Sequence, residues 1–372
     1  MTHVKNLPAL LREKKDFGLQ MLVGIDGFVD EIMHVVDKRL DIDNFVRLST
    51  MKQFGDRIVR AAGYSTNIEM VPVQTKLGGN GPILANALIE YGANVTYVGA
   101  LGSPEIHPIF QSMVKKTVKT YSLSNPGFTD AAEFDDGKFM IGKHGALKDL
   151  TWDAFVEGLG GLDAIQKLFC GQDMVAMVNW TMMPYMSQIW EGLIRDVFPV
   201  MKQEKPALAF FDLADPEKRT NEDIMHAMSL IGRFQDKFDT ILGLNEKELY
   251  EIAEVYHVDK AALEDTSHTS LAVYEKLGIH CLVVHPVASA LCVVGGHVYE
   301  TQGPYCKKPV LTTGAGDNFN AGFVLGMTLG LDPMSCLTLG VVTSGFYVRN
   351  AKSPTFDDAL QFAEEWAGGK YD

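Results

Sequence analysis

The sequence predicts an α/β fold, with a mostly parallel sheet covered by helices on both faces and a small β-lid inserted into that three-layer body. Three observations predict it. Short apolar, strand-like runs alternate with helical patterns along 372 residues, as in consecutive strand–helix–strand units. Two segments break that rhythm, 31–76, which includes the alternating stretch Thr66–Lys76, and 127–145, which reads as a hairpin, and alternation suits strands with one wet face. Near the C-terminus a glycine turn feeds a helix, an arrangement suited to holding an anion.

The strand-like runs are Met21–Ile25, Val95–Val98, Met174–Val178, Leu208–Phe211, Thr240–Leu242, Cys281–His285 and Leu291–Val294. Helical patterns cover Pro82–Tyr91, Ala154–Leu168, Met186–Lys202, Glu246–Val255, Ser270–Leu277 and Asn318–Leu329. Pro82 suits a first helical turn and Gly92 a C-terminal cap. Within 127–145, Ala131–Phe134 and Phe139–Ile141 flank Asp135-Asp136-Gly137, a hairpin signal. The body is therefore expected over 1–30, 77–126 and 146–372, with the lid in 31–76 and 127–145.

Composition narrows the function. Hydrophobic residues make up 47% and charged residues 22%, which excludes a mainly disordered chain. No apolar run approaches the ~18 residues of a membrane span, and the first residues lack the apolar core of a secretory signal. Five cysteines without a C-x-x-C pair point to reduced thiols and a cytoplasmic setting. A net charge of −14 argues against nucleic acid or anionic lipid as partner.

The most informative stretch is Thr312-Thr313-Gly314-Ala315-Gly316-Asp317. The amides from Gly314 onward open a helix, where free N–H groups and the helix dipole favour an anion. A carboxylate at Asp317 can take a proton from an attacking hydroxyl while those amides stabilise a transferred phosphoryl. Asp317 could equally be a favourable charge in a first helical turn. Gly322, Gly326 and Gly330 read as close-packing positions on the same helix.

This stretch, followed by Ala321-Gly322, resembles the C-terminal signature of the ribokinase-like (PfkB) carbohydrate kinases. A second signature agrees: Gly78-Gly79-Asn80-Gly81-Pro82, then Ala85-Asn86-Ala87. The resemblance spans roughly residues 20 to 360 and implies a ribokinase-like body with a β-lid. It also implies an activity, transfer of the ATP γ-phosphoryl to a sugar hydroxyl. On that pattern Asp317 is the catalytic base, and Gly314, Ala315 and Gly316 form the anion hole.

The substrate end is expected at Asp30, with Asp26 a second candidate or else a turn residue, and at Gly78, Gly79 and Asn80. Asn179, at another strand end, is a weaker candidate. Carboxylates and an amide suit vicinal hydroxyls, and strand C-termini are where open α/β sheets bind ligands. Lys143 and His144 close the lid hairpin and could meet a substrate phosphate, although exposed basic residues are more often simply solvated. The nucleotide end is expected at Asp212, Asn245, Glu248, His285 and Thr313, with Lys218 and Arg219 nearby. Asn245 and Glu248 also have the spacing of a capping box. In the family this pair organises Mg²⁺ and phosphate, here with Glu248 acting through water.

The resemblance has gaps. Leu311 stands where the family usually has an acidic residue of a monovalent-cation site. The loop His285–Ala290 lacks the usual glycines. No G-x-x-x-x-G-K-[ST] string occurs, which excludes a P-loop enzyme. A nucleoside kinase on the same fold and a non-catalytic sugar binder remain as alternatives. An exposed lid face would suit a homodimer.

Overall fold

The computed structural model describes residues 2–202, 206–258 and 265–371. Among them, nine strands form one sheet in the order His297–Gln302, Ser289–Val294, Cys281–Val284, Asp239–Leu244, Leu208–Asp212, Met174–Val178, Gln20–Ile25, Asn94–Gly99 and Lys119–Ser122. Neighbours are parallel except at one edge, where Ser289–Val294 pairs antiparallel on both sides. Alternate residues of the buried strands feed two separate cores. Leu22, Val175, Met177, Ala209 and Phe211 face one layer. Met21, Val23, Met174, Ala176 and Phe210 face the other. Continuous apolar runs are what a doubly covered parallel sheet requires.

The second sheet holds Phe28–Arg39, Phe45–Arg47, Met70–Gly78, Gly127–Phe134 and Gly137–Lys143. The long strand Phe28–Arg39 is its spine, paired with Met70–Gly78 on one side and Gly127–Phe134 on the other. It follows the first body strand after only Asp26 and Gly27, so Asp30 stands on the small sheet. The Asp-Gly turn closes the hairpin with Phe134 opposite Gly137. A helix, Met51–Arg60, lies over this sheet and closes a small core of Val35, Leu48, Phe54, Ala132 and Phe134.

Several elements depart from the sequence expectation. The pattern Ala154–Leu168 is two helices, Trp152–Leu159 and Leu162–Cys170, because Gly160 and Gly161 take positive φ of 88° and 96°. The helix expected over Met186–Lys202 is regular only to Gly192. It widens over Leu193–Val197 and ends in a tight turn at Phe198–Val200, where Pro199 removes a donor. Helices Thr2–Glu13, Pro333–Asn350 and Phe356–Ala367 were not anticipated. Gly322 and Gly326 do lie against Pro333–Asn350, where a Cβ would meet Leu339 and Cys336. Gly330 does not pack there: it sits past the helix end at φ 72° with open space around it.

Candidate active site

The C-terminal edges of Gln20–Ile25, Met174–Val178 and Leu208–Asp212 meet the N-termini of Asn80–Tyr91 and Ala315–Thr328. Two helix starts thus aim at one cleft. At its floor lies Asp26, fully buried. Its carboxylate accepts from the backbone N–H of Asn80 (3.0 Å) and Gly81 (2.8 Å) and from Asn179 Nδ2 (2.6 Å). Tyr97 donates to its carbonyl (2.6 Å). Burial outweighs these bonds and lifts the Asp26 pKa from 3.8 to about 6. Gly79 and Gly81 have no room for a side chain, since a Cβ at either would strike the Asp26 carboxylate. Asp26 therefore holds the Gly78–Gly81 turn in place, and its oxygens face protein donors.

Asp212 occupies the centre of the same floor. Asn320 Nδ2 donates to it at 3.0 Å and Asn80 Nδ2 reaches it at 3.5 Å. Its pKa is pushed well up by burial, with the charges of Glu248 and Asp26 adding to it. Asp317 sits half-buried in the first turn of Ala315–Thr328, behind Gly314 at φ 91°. Burial raises its pKa well above the ordinary value. Asp212, Asp26 and Glu248 raise it further, while a hydrogen bond from Asn80 opposes them. Asp317, Asn80, Asp26 and Asp212 thus form one electrostatic cluster.

Asp30 is buried directly over Gly78, where a Cβ would collide with its carboxylate. Burial raises its pKa, against the field of Lys76, a hydrogen bond from Thr129 and the field of Lys138. Tyr347 links this acid to Asp317. Its hydroxyl donates to the Thr313 carbonyl (2.8 Å), and its own pKa is raised by burial and then by Asp317 and Asp30. Tyr347 also packs under Gly314. Sequence reading missed it, because a tyrosine inside a long buried helix carries no pattern that marks it.

Glu248 is a cap first. Its two oxygens accept from Asp215 N and Asn245 N, both at 2.8 Å, while Asn245 Oδ1 accepts from Glu248 N. It remains buried, with its pKa raised chiefly by that burial. Asp212 and Glu248 offer carboxylate oxygens only, the ligand type of a hard divalent cation. Arg219 points elsewhere: it lies over the Trp180 ring and donates to the carbonyls of Thr181 (3.0 Å) and Met183 (2.9 Å). Lys218 is paired with Asp215 (2.9 Å). Lys143 is spent on Asp130 (2.7 Å), and His144 stacks edge-on against Phe28.

Beyond the glycine turn opens a cavity of about 370 Å³. Asn245, His285, Thr312, Ala315, Gly316 and Phe319 line the side next to the turn. Tyr305, Val341, Ser344 and Val348 line the far side and were not foreseen. His285 lies on Phe319 at 5.1 Å and against Gly316, and burial lowers its pKa to about 4, so the imidazole is neutral.

The model of the prokaryotic ketohexokinase family matches residues 2–366. A ketohexokinase of Haloferax volcanii is 30% identical over 355 residues, covering 95% of this chain and 92% of that protein. The chain belongs to the prokaryotic ketohexokinase family. Solved structures with the same fold agree. The Methanocaldococcus jannaschii nucleoside kinase, an archaeal member of the ribokinase family, has a TM-score of 0.62 at 14% identity and covers 94% of this chain and 100% of its own. The Arabidopsis thaliana ribokinase complexed with ribose and ATP gives 0.61 at 15%, covering 93% and 98%. A mutant of Escherichia coli phosphofructokinase-2 gives 0.64 at 14%, covering 95% and 100%. The ribokinase-like fold expected from the two signatures is thus present, and the chain is a carbohydrate kinase. Among these structures the Arabidopsis ribokinase carries ATP and ribose. The sugar-kinase reading is favoured over the nucleoside kinase and the non-catalytic binder. No helix among the described residues is long and apolar enough to cross a membrane.

Proposed function

We propose that this kinase phosphorylates a hydroxyl of a ketohexose, with Asp317 as general base and the amides of Gly314, Ala315 and Gly316 as anion hole, the Ala315 N–H exchanging its present acceptor, the Thr312 carbonyl (3.0 Å), for a phosphate oxygen. The supporting observation is the convergence of Asp30, Asn80 and Asp317 around the glycine turn, with Tyr347 in the field of both acids. Asp30 and Asn80 hold the acceptor sugar over Gly78 and Gly79. Asp317 takes the acceptor proton as the oxygen attacks the γ-phosphorus and the bond to the β-phosphate oxygen breaks. Asp26 and Asn179 act one step back, by fixing the loop that carries Asn80.

The cavity lined by His285 and Phe319 is where the nucleotide base and ribose fit, with Asn245 toward the phosphates, whereas Thr313, expected on the nucleotide side, lines the gap under the lid beside Asp30. Mg²⁺ bound with ATP would neutralise phosphate charge, and Asp212 and Glu248 would hold it, Glu248 through water. Leu311 leaves no carboxylate there for a monovalent cation, so activity is expected without potassium. The setting is cytoplasmic. Two copies pair through their lids, where Val73, Phe139 and Ile141 leave apolar surface exposed.

The test is ADP release over a panel of ketohexoses, aldoses, sugar phosphates and nucleosides. A ketohexose should give the highest kcat/KM. Preference for a nucleoside or an aldose would overturn the substrate assignment, and no turnover at all would overturn the catalytic one. Light scattering should give twice the chain mass, and a monomer at all concentrations would remove the dimer.

A further inference from the structure

The space between lid and body carries two ammonium groups that the reaction scheme above does not use. Lys76 lies opposite Asp30 on the neighbouring lid strand, and Lys138 follows the hairpin turn, opposite Glu133. Asp30, Lys76, Glu133, Lys138 and Thr313 enclose a gap of only about 10 Å³, about one water at most. Lys138 Nζ lies 3.5 Å from Glu133 and donates to Thr313 Oγ1 at 3.1 Å. It thus bridges from the roof to the residue just before the Gly314 turn. Burial lowers the Lys76 pKa, and the Lys138 charge lowers it further, against Asp30 and Glu133.

The floor on the other side is all acid. Asp317, Asp212, Asp26 and Glu248 repel one another and would repel an arriving phosphoryl group. The amides of the glycine turn are neutral dipoles, and a divalent cation would serve the nucleotide side. On the acceptor side, the ammonium already resting on the cradle is Lys138. We infer that Lys138 is a catalytic residue supplied by the lid: it leaves the Thr313 hydroxyl and donates to an oxygen of the migrating phosphoryl group. No proton is transferred from it. The acceptor proton still goes to Asp317, the new P–O bond forms to the sugar oxygen, and ADP departs with the electron pair of the old one. Charge on the equatorial oxygens is what such a cation stabilises. Lys76 keeps a different task, favouring the ionised form of Asp30 against its burial.

This inference rests on the kinase reading. The experiment compares wild type, Lys138→Met and Lys138→Arg. Each is checked for an unchanged melting temperature, then for kcat and KM with ATP and the best ketohexose. A second readout is the affinity for ADP with aluminium fluoride and the sugar, which mimics the phosphoryl in flight. Lys138→Met should lower kcat by about 10²-fold, the scale of one lost donor to developing charge, with both KM values within about threefold. Affinity for the mimic should fall by a similar factor, and Lys138→Arg should recover part of both. A kcat within about twofold of wild type, a loss confined to KM, or an unchanged affinity for the mimic would overturn the assignment. Wild type that turns over no sugar would instead defeat the kinase reading beneath it.

Discussion

The floor and the roof of the cleft are built on opposite plans. The floor sits on a nine-stranded sheet between two cores, and its acids Asp26 and Asp212 have protein donors on their oxygens. The roof is a five-stranded sheet with a core of five buried side chains, and it meets the cleft through Asp30 and two lysines. Fixing a carboxylate in a buried place costs pKa: every floor acid is displaced upward. That cost is accepted where geometry must not drift, since a base displaced by about 1 Å can cost ~10²-fold in rate. The roof has to admit a sugar into a gap of about 10 Å³, so its lysine contacts must be ones that can be exchanged.

The largest effect expected from the floor is at Asp317. Asp317→Asn keeps the shape and removes the base, so kcat should fall by roughly 10²–10⁴-fold with little change in ATP affinity. Turnover close to wild type would break the assignment. The pH dependence follows with a definite sign. A base works when ionised, and the free Asp317 carboxyl is displaced well upward. The acid limb of kcat/KM should therefore sit clearly above the ordinary aspartate value of 3.8, with activity lost as pH falls through it. An acid limb at or below the ordinary aspartate value would contradict this.

Asp26 comes next. Asp26→Ala leaves the amides of Asn80 and Gly81 and the Asn179 side chain without their acceptor, at roughly 1–3 kcal/mol per buried donor. Denaturant unfolding should show a loss of several kcal/mol, together with a lower kcat because Asn80 is released. A loss below about 1 kcal/mol would mean that the turn is held by other contacts. Stability also has a pH signature. The folded pKa of about 6 exceeds the ordinary 3.8, so the native state binds more protons in between. Stability should fall as pH rises from about 4 to about 6. Asp212 and Asp317 add to this slope with the same sign, and Asp26→Asn should flatten part of it.

How much of this could be read from the chain divides along the same line. The floor was legible at Gly314, Gly316 and Asp317, and at Gly78 to Asn80, because a glycine turn before a helix has few other uses. Asp26 was visible only as an alternative to Asp30. Its buried role depends on Asn179, 153 residues away, and no local pattern encodes that meeting. Tyr347, Asn320 and Val341 lie in apolar helices where burial on every side hides which residue faces the cleft. On the roof the Asp-Gly hairpin was legible, but Lys138 looked like any lysine on an exposed strand. Its meaning comes from Thr313, 175 positions later. Glu248 shows the limit of a motif, since the capping box is fully formed and says nothing by itself about metal.

A smaller effect belongs to Asp30. Asp30→Asn keeps hydrogen-bonding capacity but gives up the charge that Lys76 faces, so KM for the sugar should rise about tenfold while KM for ATP stays put. A hydrogen bond to a charged group is worth roughly 1.5–3 kcal/mol, which sets that scale. Equal rises in both KM values would mean that the roof had collapsed rather than lost one contact.

The smallest effect isolates what is special about Lys138. Lys143 lies on the same strand, five residues on, carries the same charge and is paired with Asp130 on an exposed face. A surface pair of this kind contributes ~0–1 kcal/mol, and Lys143 is engaged with Asp130 rather than with Thr313 or Asp30. Lys143→Ala should leave kcat and both KM values within about twofold, shift the unfolding midpoint only slightly, and respond little to added salt. If instead it matched Lys138→Met in lost turnover, the two lysines would be acting through the general positive field of the hairpin. Contact with the phosphoryl cradle would then no longer be what distinguishes the roof from the rest of the lid.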